Sequence, residues 1–143
     1  MNDYEEYENK CKTIRADNRK LLDDFRAWLQ NKKLVDNTIN NHVSNVDLYI
    51  NEFLLYREAC EAKNGYDSIG MFLGDWFIRK TMWASCANIK TNAASLKKFY
   101  TFMFEKGYIS SENLEELKEM IKEEMLDWLE ELKRYDNLSL EDY

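Results

Sequence analysis

No proline occurs anywhere in this chain of 143 residues, and only four glycines do. Sheets need many tight turns, and turns draw heavily on those two residue types. An all-α fold is therefore the expectation. Hydrophobic residues make up 45% of the chain and aromatics 14%, which argues for a packed core rather than disorder. The length suits one domain with a core of useful size. No apolar run reaches the roughly 18 residues that mark a membrane span. The start, Met1-Asn2-Asp3-Tyr4-Glu5-Glu6, is acidic and polar, unlike a signal peptide. A cytoplasmic protein with no membrane partner is expected. Cys11, Cys60 and Cys86 are far apart, odd in number and without a Cys-x-x-Cys pair, so they read as free thiols rather than a disulfide framework or a zinc site.

Apolar residues recur at helical spacing along most of the chain. Tyr4, Tyr7, Cys11 and Ile14 place a weak amphipathic helix over residues 3–16, an extension before the core, and nothing near Asp17-Asn18 forces it to end. A first core helix is predicted over 18–33. Leu21, Leu22, Phe25, Trp28 and Leu29 share its inner face, and Lys32 and Lys33 sit in its last turn, where positive charge suits the carbonyl end. Asp36 is the predicted N-cap of a second helix over 37–62, with Ile39, Val43, Val46, Ile50, Phe53 and Leu54 in register. Asn64-Gly65 marks a turn. A third helix is predicted from Asp67 or Ser68 to about Lys80, facing inward with Ile69, Phe72, Leu73, Trp76 and Phe77. Residues 81–85 form a linker in which Trp83 is expected to plug the core.

The fourth helix is predicted from Ser85 or Ala87 to Lys106, with Ile89, Ala93, Leu96, Tyr100 and Met103 inward and Phe99 at one edge. Gly107 suits the left-handed position that ends a helix, and Ile109 is placed to fold back over it. Ser110 or Ser111 is the expected cap of a fifth helix over about 112–135. Leu114, Leu117, Ile121, Met125, Trp128, Leu132 and Tyr135 form a seam on it that fits another helix. Residues 137–143 are expected to fray.

Charge is uneven along the chain. Residues 66–110 carry six Lys/Arg and three Asp/Glu, whereas residues 111–143 carry four against twelve. An acidic whole argues against nucleic acid, because phosphate neutralisation by Lys/Arg supplies much of that affinity. The acidity here is concentrated in the last helix, so a local basic face remains open. Lys90, Lys97 and Thr101 lie on one flank of the fourth helix, with Lys98 further round. By spacing alone this is either a binding face or an ordinary solvated one. Asn37, Thr38, Asn40, Asn41, Ser44 and Asn45 make a polar, uncharged cluster at the start of the second helix. It could bond base edges or phosphates, or simply cap and solvate the helix.

The ordered motifs of residues 18–110 resemble those of a known family. They are Phe25-Arg26-Ala27-Trp28-Leu29, Asp36-Asn37-Thr38-Ile39, Phe53-Leu54, Ile69-Gly70-Met71-Phe72-Leu73, and the run Leu96-Lys97-Lys98-Phe99-Tyr100-Thr101-Phe102-Met103 with Gly107 beyond it. In this order the chain is similar to the core-binding domain of tyrosine recombinases (phage integrases). The resemblance implies a SAM-like four-helix bundle whose second and fourth helices face double-stranded DNA. Carried over by position, Thr38, Asn41 and Asn45 approach the duplex from one side, and Lys90, Asn92, Lys97 and Lys98 from the other. Family members often carry arginines where this chain has Asn92 and Lys97. Lysine offers a point charge rather than a bidentate fork, which weakens sequence-specific readout.

The resemblance stops short of catalysis. The family's tyrosine nucleophile, paired arginines, lysine and His-x-x-Arg-type pair cannot be assembled after residue 110. His42 is the one histidine and is followed by Val43, Ser44 and Asn45; it is expected to be half-exposed. No glycine-rich phosphate loop, no Glu-x-x-His pair and no convergent carboxylates stand out. The expectation is a non-catalytic, cofactor-free and metal-free DNA-binding module of DNA recombination or integration. It would comprise an N-terminal extension (1–17), a core-binding-like domain (18–110) and an acidic helix with tail (111–143). The alternative is a protein-interaction module in which Leu117, Ile121, Trp128 and Leu132 of the last helix dimerise or dock on a recombinase. The simpler reading of that seam is that it packs on the chain's own core, and the chain could be the N-terminal part of a longer recombinase.

Overall fold

A computed structural model describes residues 2–141, which form helices and no strand. Helix α1 spans Asp3–Asn31 without interruption. Asn2 caps it by accepting a bond from the Glu5 amide (2.8 Å), and Asp3, Glu5 and Glu6 complement the positive end of the helix dipole. The extension and the first core helix are thus one element. Asn18, at the point where a break was open, is 1% exposed. Its amide donates to the Ile50 carbonyl (3.2 Å) and to Asn51 Oδ1 (2.8 Å). The first turns of α1 have their own small core, in which Cys11 and Ile14 meet Leu55 with Tyr7 and Ala59 alongside. The Tyr7 hydroxyl donates to the Leu55 carbonyl.

Helix α2 spans Asp36–Asp47 and widens into a π-helical stretch, Leu48–Phe53. It stops well short of the expected residue 62; a short 3₁₀ turn, Ala62–Asn64, follows after irregular chain. Val35, not Asp36, holds the N-cap position, and no side chain caps the helix there. Asp36 serves the dipole from the first turn instead. Helix α3 is built from Ile69–Met71, a second π-helical stretch Phe72–Trp76, and Phe77–Lys80. The two wide stretches face each other. Within these stretches Tyr49 stacks on Phe53 (5.4 Å) and Phe72 on Trp76 (5.7 Å). Across the gap Tyr49 meets Phe72 edge-on (5.0 Å) and Phe53 meets Trp76 (5.7 Å).

Helix α4 spans Cys86–Glu105. Ser85 caps it through Oγ, which accepts from the Asn88 amide (3.1 Å). Ile89, Ala93, Leu96, Tyr100 and Met103 are buried as the periodicity predicts, and Phe99, expected at the edge, is fully buried between Phe25 and Phe102. Gly107 takes φ +82°. The Tyr108 amide reaches the Met103 carbonyl and the Gly107 amide the Phe104 carbonyl, both at 2.9 Å. That is a Schellman end, with Ile109 folded back and buried.

Helix α5 spans Ser111–Glu141, longer than its predicted 112–135. Ser110 Oγ caps it by accepting from the Asn113 amide (3.1 Å). It packs on α4 and α3. Leu114, Leu117, Ile121, Trp128 and Leu132 enter the same core as Phe25, Tyr49, Phe72 and Phe99. Of the segment expected to fray, residues 142 and 143 lie outside the described residues, and 137–141 continue the helix. Among the described residues no helix is long and apolar enough to cross a membrane.

Candidate nucleic-acid interface

Helices α2 and α4 lie side by side, with Ile39 and Val46 of one and Ile89, Ala93 and Leu96 of the other buried beneath. Above this apolar floor the joint is polar. Ser95 is 0% exposed and makes three hydrogen bonds. Its hydroxyl donates to the Thr91 carbonyl (3.0 Å), and its oxygen accepts from Asn45 Nδ2 (3.0 Å). His42 Nδ1 lies 2.7 Å from the same oxygen. Because the one hydroxyl proton is already used, His42 Nδ1 must carry the proton, leaving Nε2 as the acceptor of a neutral ring. Burial lowers the pKa of His42, and the nearby positive charge of Lys98 lowers it further. His42 is therefore a buried clamp between helices rather than the half-exposed residue expected. The Ser95–His42 pair is not built for nucleophilic attack, since its hydroxyl is inaccessible and already donated.

The outer edge of this joint holds most of the predicted contact residues. Asn41, Lys90 and Lys97 are exposed; Thr38, Asn45 and Lys98 are half-buried. Lys90, Lys97 and Lys98 have no ion pair among the described residues. Asn45 is partly committed to Ser95. Asn92 is a correction: it is 4% exposed, its amide donates back to the Asn88 carbonyl (2.8 Å), and its Oδ1 is buried with no partner. It lies three residues after Ile89 and four before Leu96, on the inner stripe, so it supports the joint and does not reach outward.

Sequence reasoning missed three contributors. Ser95 was not singled out, although it is the hub of the joint. Arg26 of α1 donates to Asn40 Oδ1 (2.8 Å) and brings a third helix to the α2 edge. The third is a span of chain. No acidic residue occurs from Trp76 to Phe104, while Arg79, Lys80, Lys90, Lys97 and Lys98 do. That span marks the basic face more sharply than the 66–110 charge count.

Two other expectations change. Leu117, Ile121, Trp128 and Leu132 are only 2–4% exposed, covered by the chain's own core, so they are not free to bind a partner. Trp83 is 60% exposed and does not plug the core; its carbonyl accepts from Asn88 Nδ2 of α4 while Ser85 caps that helix. Cys11, Cys60 and Cys86 are all free. No cluster of three or more His, Cys, Asp or Glu converges as a metal set among the described residues.

In comparisons with known proteins, no family model, no curated protein and no solved structure matched the chain.

Proposed function

We propose that the chain is a non-catalytic DNA-binding module of the core-binding, SAM-like type, working in DNA recombination or integration, with the outer edge of α2 and α4 against the duplex. One observation carries the reading. Lys90, Lys97 and Lys98 project without ion pairs from a helix that has no acidic residue before Glu105, beside the amide-rich edge of α2. Twelve of the 27 acidic residues fall in residues 111–143, outside α2 and α4. Contacts of this kind neutralise phosphates and carry little base information.

The test is fluorescence-anisotropy binding to a labelled duplex between about 50 and 200 mM salt. Three phosphate contacts give a slope of about −3 in log K against log salt, roughly a 50-fold loss over that range. Lys97→Ala with Lys98→Ala should flatten the slope by about 2. Binding that ignores salt, or a double variant indistinguishable from wild type, contradicts the reading.

A second reading, a protein-interaction module, rests on Leu126 and Leu138, which are 71% and 57% exposed on the acidic side of α5. A dimer seen by light scattering and lost in Leu126→Glu would favour it.

A further inference from the structure

The α3–α4 corner is occupied by two apolar side chains that the fold does not use. Met82 is 101% exposed and Trp83 60%. The other three tryptophans are spent inside: Trp128 is 4% exposed, and Trp28 and Trp76 pack on the core from partly buried positions. Trp83 leaves 60% of its surface in water, which forgoes burial energy.

The corner is held firmly. Thr81, itself buried, donates through Oγ1 to the Phe77 carbonyl (2.6 Å). The Trp83 carbonyl accepts from Asn88 Nδ2 (2.6 Å), and Ser85 caps α4 just beyond. A ring presented from a fixed backbone loses little freedom on binding. Along the chain the corner is flanked by cations. Arg79 and Lys80 precede the corner and Lys90 follows it, inside the acid-free span 76–104. Arg79 is paired with Asp75 and Glu131; Lys80 lies over the Tyr56 ring, and neither Lys80 nor Lys90 has a carboxylate partner among the described residues.

We propose that Trp83, with Met82 beside it, is a nucleobase-stacking point that engages DNA at the α3–α4 corner, next to the lysine face of α4. Every base has a π-face, and aromatic stacking tolerates any sequence. Apolar side chains can also wedge at a base step and open it. Phosphates answer Lys80 and Lys90, and a base answers the ring. This gives the interface a contact that salt does not screen, at a place the lysines alone do not explain. The proposal rests on the DNA-binding reading.

The experiment compares wild type, Trp83→Ala, Trp83→Phe and the Lys97→Ala/Lys98→Ala double variant. Each is titrated with a fully paired duplex and with the same duplex carrying one unpaired base, across the salt range. Trp83→Ala should weaken binding about 10-fold with the salt slope unchanged, and Trp83→Phe should restore most of the loss. The unpaired base should raise wild-type affinity and leave Trp83→Ala unmoved. Urea midpoints should be alike for Trp83→Ala and wild type, since the ring is outside the core. If Trp83→Ala binds like wild type while the lysine variant is weakened, the stacking proposal falls and the DNA reading stands. If wild type binds neither duplex, both fall. If Trp83→Ala loses binding only to vesicles containing phosphatidylserine, the corner is a lipid contact and the proposal is overturned.

Discussion

Replacing Ser95 with alanine tests the joint between α2 and α4 in one step. Alanine removes an oxygen that holds three partners at 2.7–3.0 Å. The Thr91 carbonyl loses only a second bond, because it sits in a helical ladder. Asn45 is half-buried, so water can replace its lost acceptor. His42 is 8% exposed, and its Nδ1–H is left without a partner. An unsatisfied buried donor costs about 1–3 kcal/mol. Alanine regains roughly 0.5 kcal/mol through helix propensity. The net expectation is a loss of about 1.5 kcal/mol, or about 3–6 °C in Tm for a chain of this size. Urea unfolding followed by far-UV circular dichroism reads it as a lower midpoint at unchanged slope. A double-mutant cycle with His42→Ala should return a coupling of about 1 kcal/mol. A loss below about 0.5 kcal/mol, or no coupling, would refute the claim that Ser95 clamps the two helices.

Three further perturbations follow from the same packing. His42 is held below its ordinary pKa by burial and by Lys98, so the unfolded chain takes up the proton first; its stabilising contribution is present above the ordinary histidine range and is lost as pH falls through the depressed folded value. Urea midpoints from about pH 7 down to about 5 should therefore fall more steeply in wild type than in His42→Asn, and parallel profiles would count against it. Gly107→Ala places a side chain at φ +82° where no atom lies within 4 Å of the new Cβ, so the cost is backbone strain alone, about 1 kcal/mol by thermal melting. Gly74→Ala sets a Cβ 2.7 Å from Trp128 Cδ1, whereas at Gly70 the nearest atom is the tip of Glu124 at 3.4 Å; the former should destabilise by about 2 kcal/mol and shift Trp128 emission, and the latter should be near neutral.

Local rules account for what the sequence disclosed. Ser85, Ser110 and Gly107 are punctuation that acts within one turn, and each works as the spacing predicts. The inner stripe of α4 and the seam of α5 also follow periodicity, which reports burial without naming what does the burying. The seam was therefore legible as apolar, with the chain's own core as its simpler partner, and the main core does cover it. Asn92 was misplaced because the resemblance carried it over by position, against its register between Ile89 and Leu96. The early end of α2 had no local signal: Tyr49 and Phe53 adopt the wide turn because Phe72 and Trp76 meet them from another helix. The clamp joins His42 and Asn45 to Ser95 across about fifty residues of chain, a pairing that only the tertiary arrangement reveals.

The most direct measurement of the proposed DNA face is amide chemical-shift mapping by NMR on the full chain, titrated with a short duplex at low salt. Engagement of the α2–α4 edge should shift Thr38, Asn41, Asn45, Lys90, Lys97 and Lys98, together with Trp83, with little change along α5. Shifts confined to α5, or none anywhere, would contradict it.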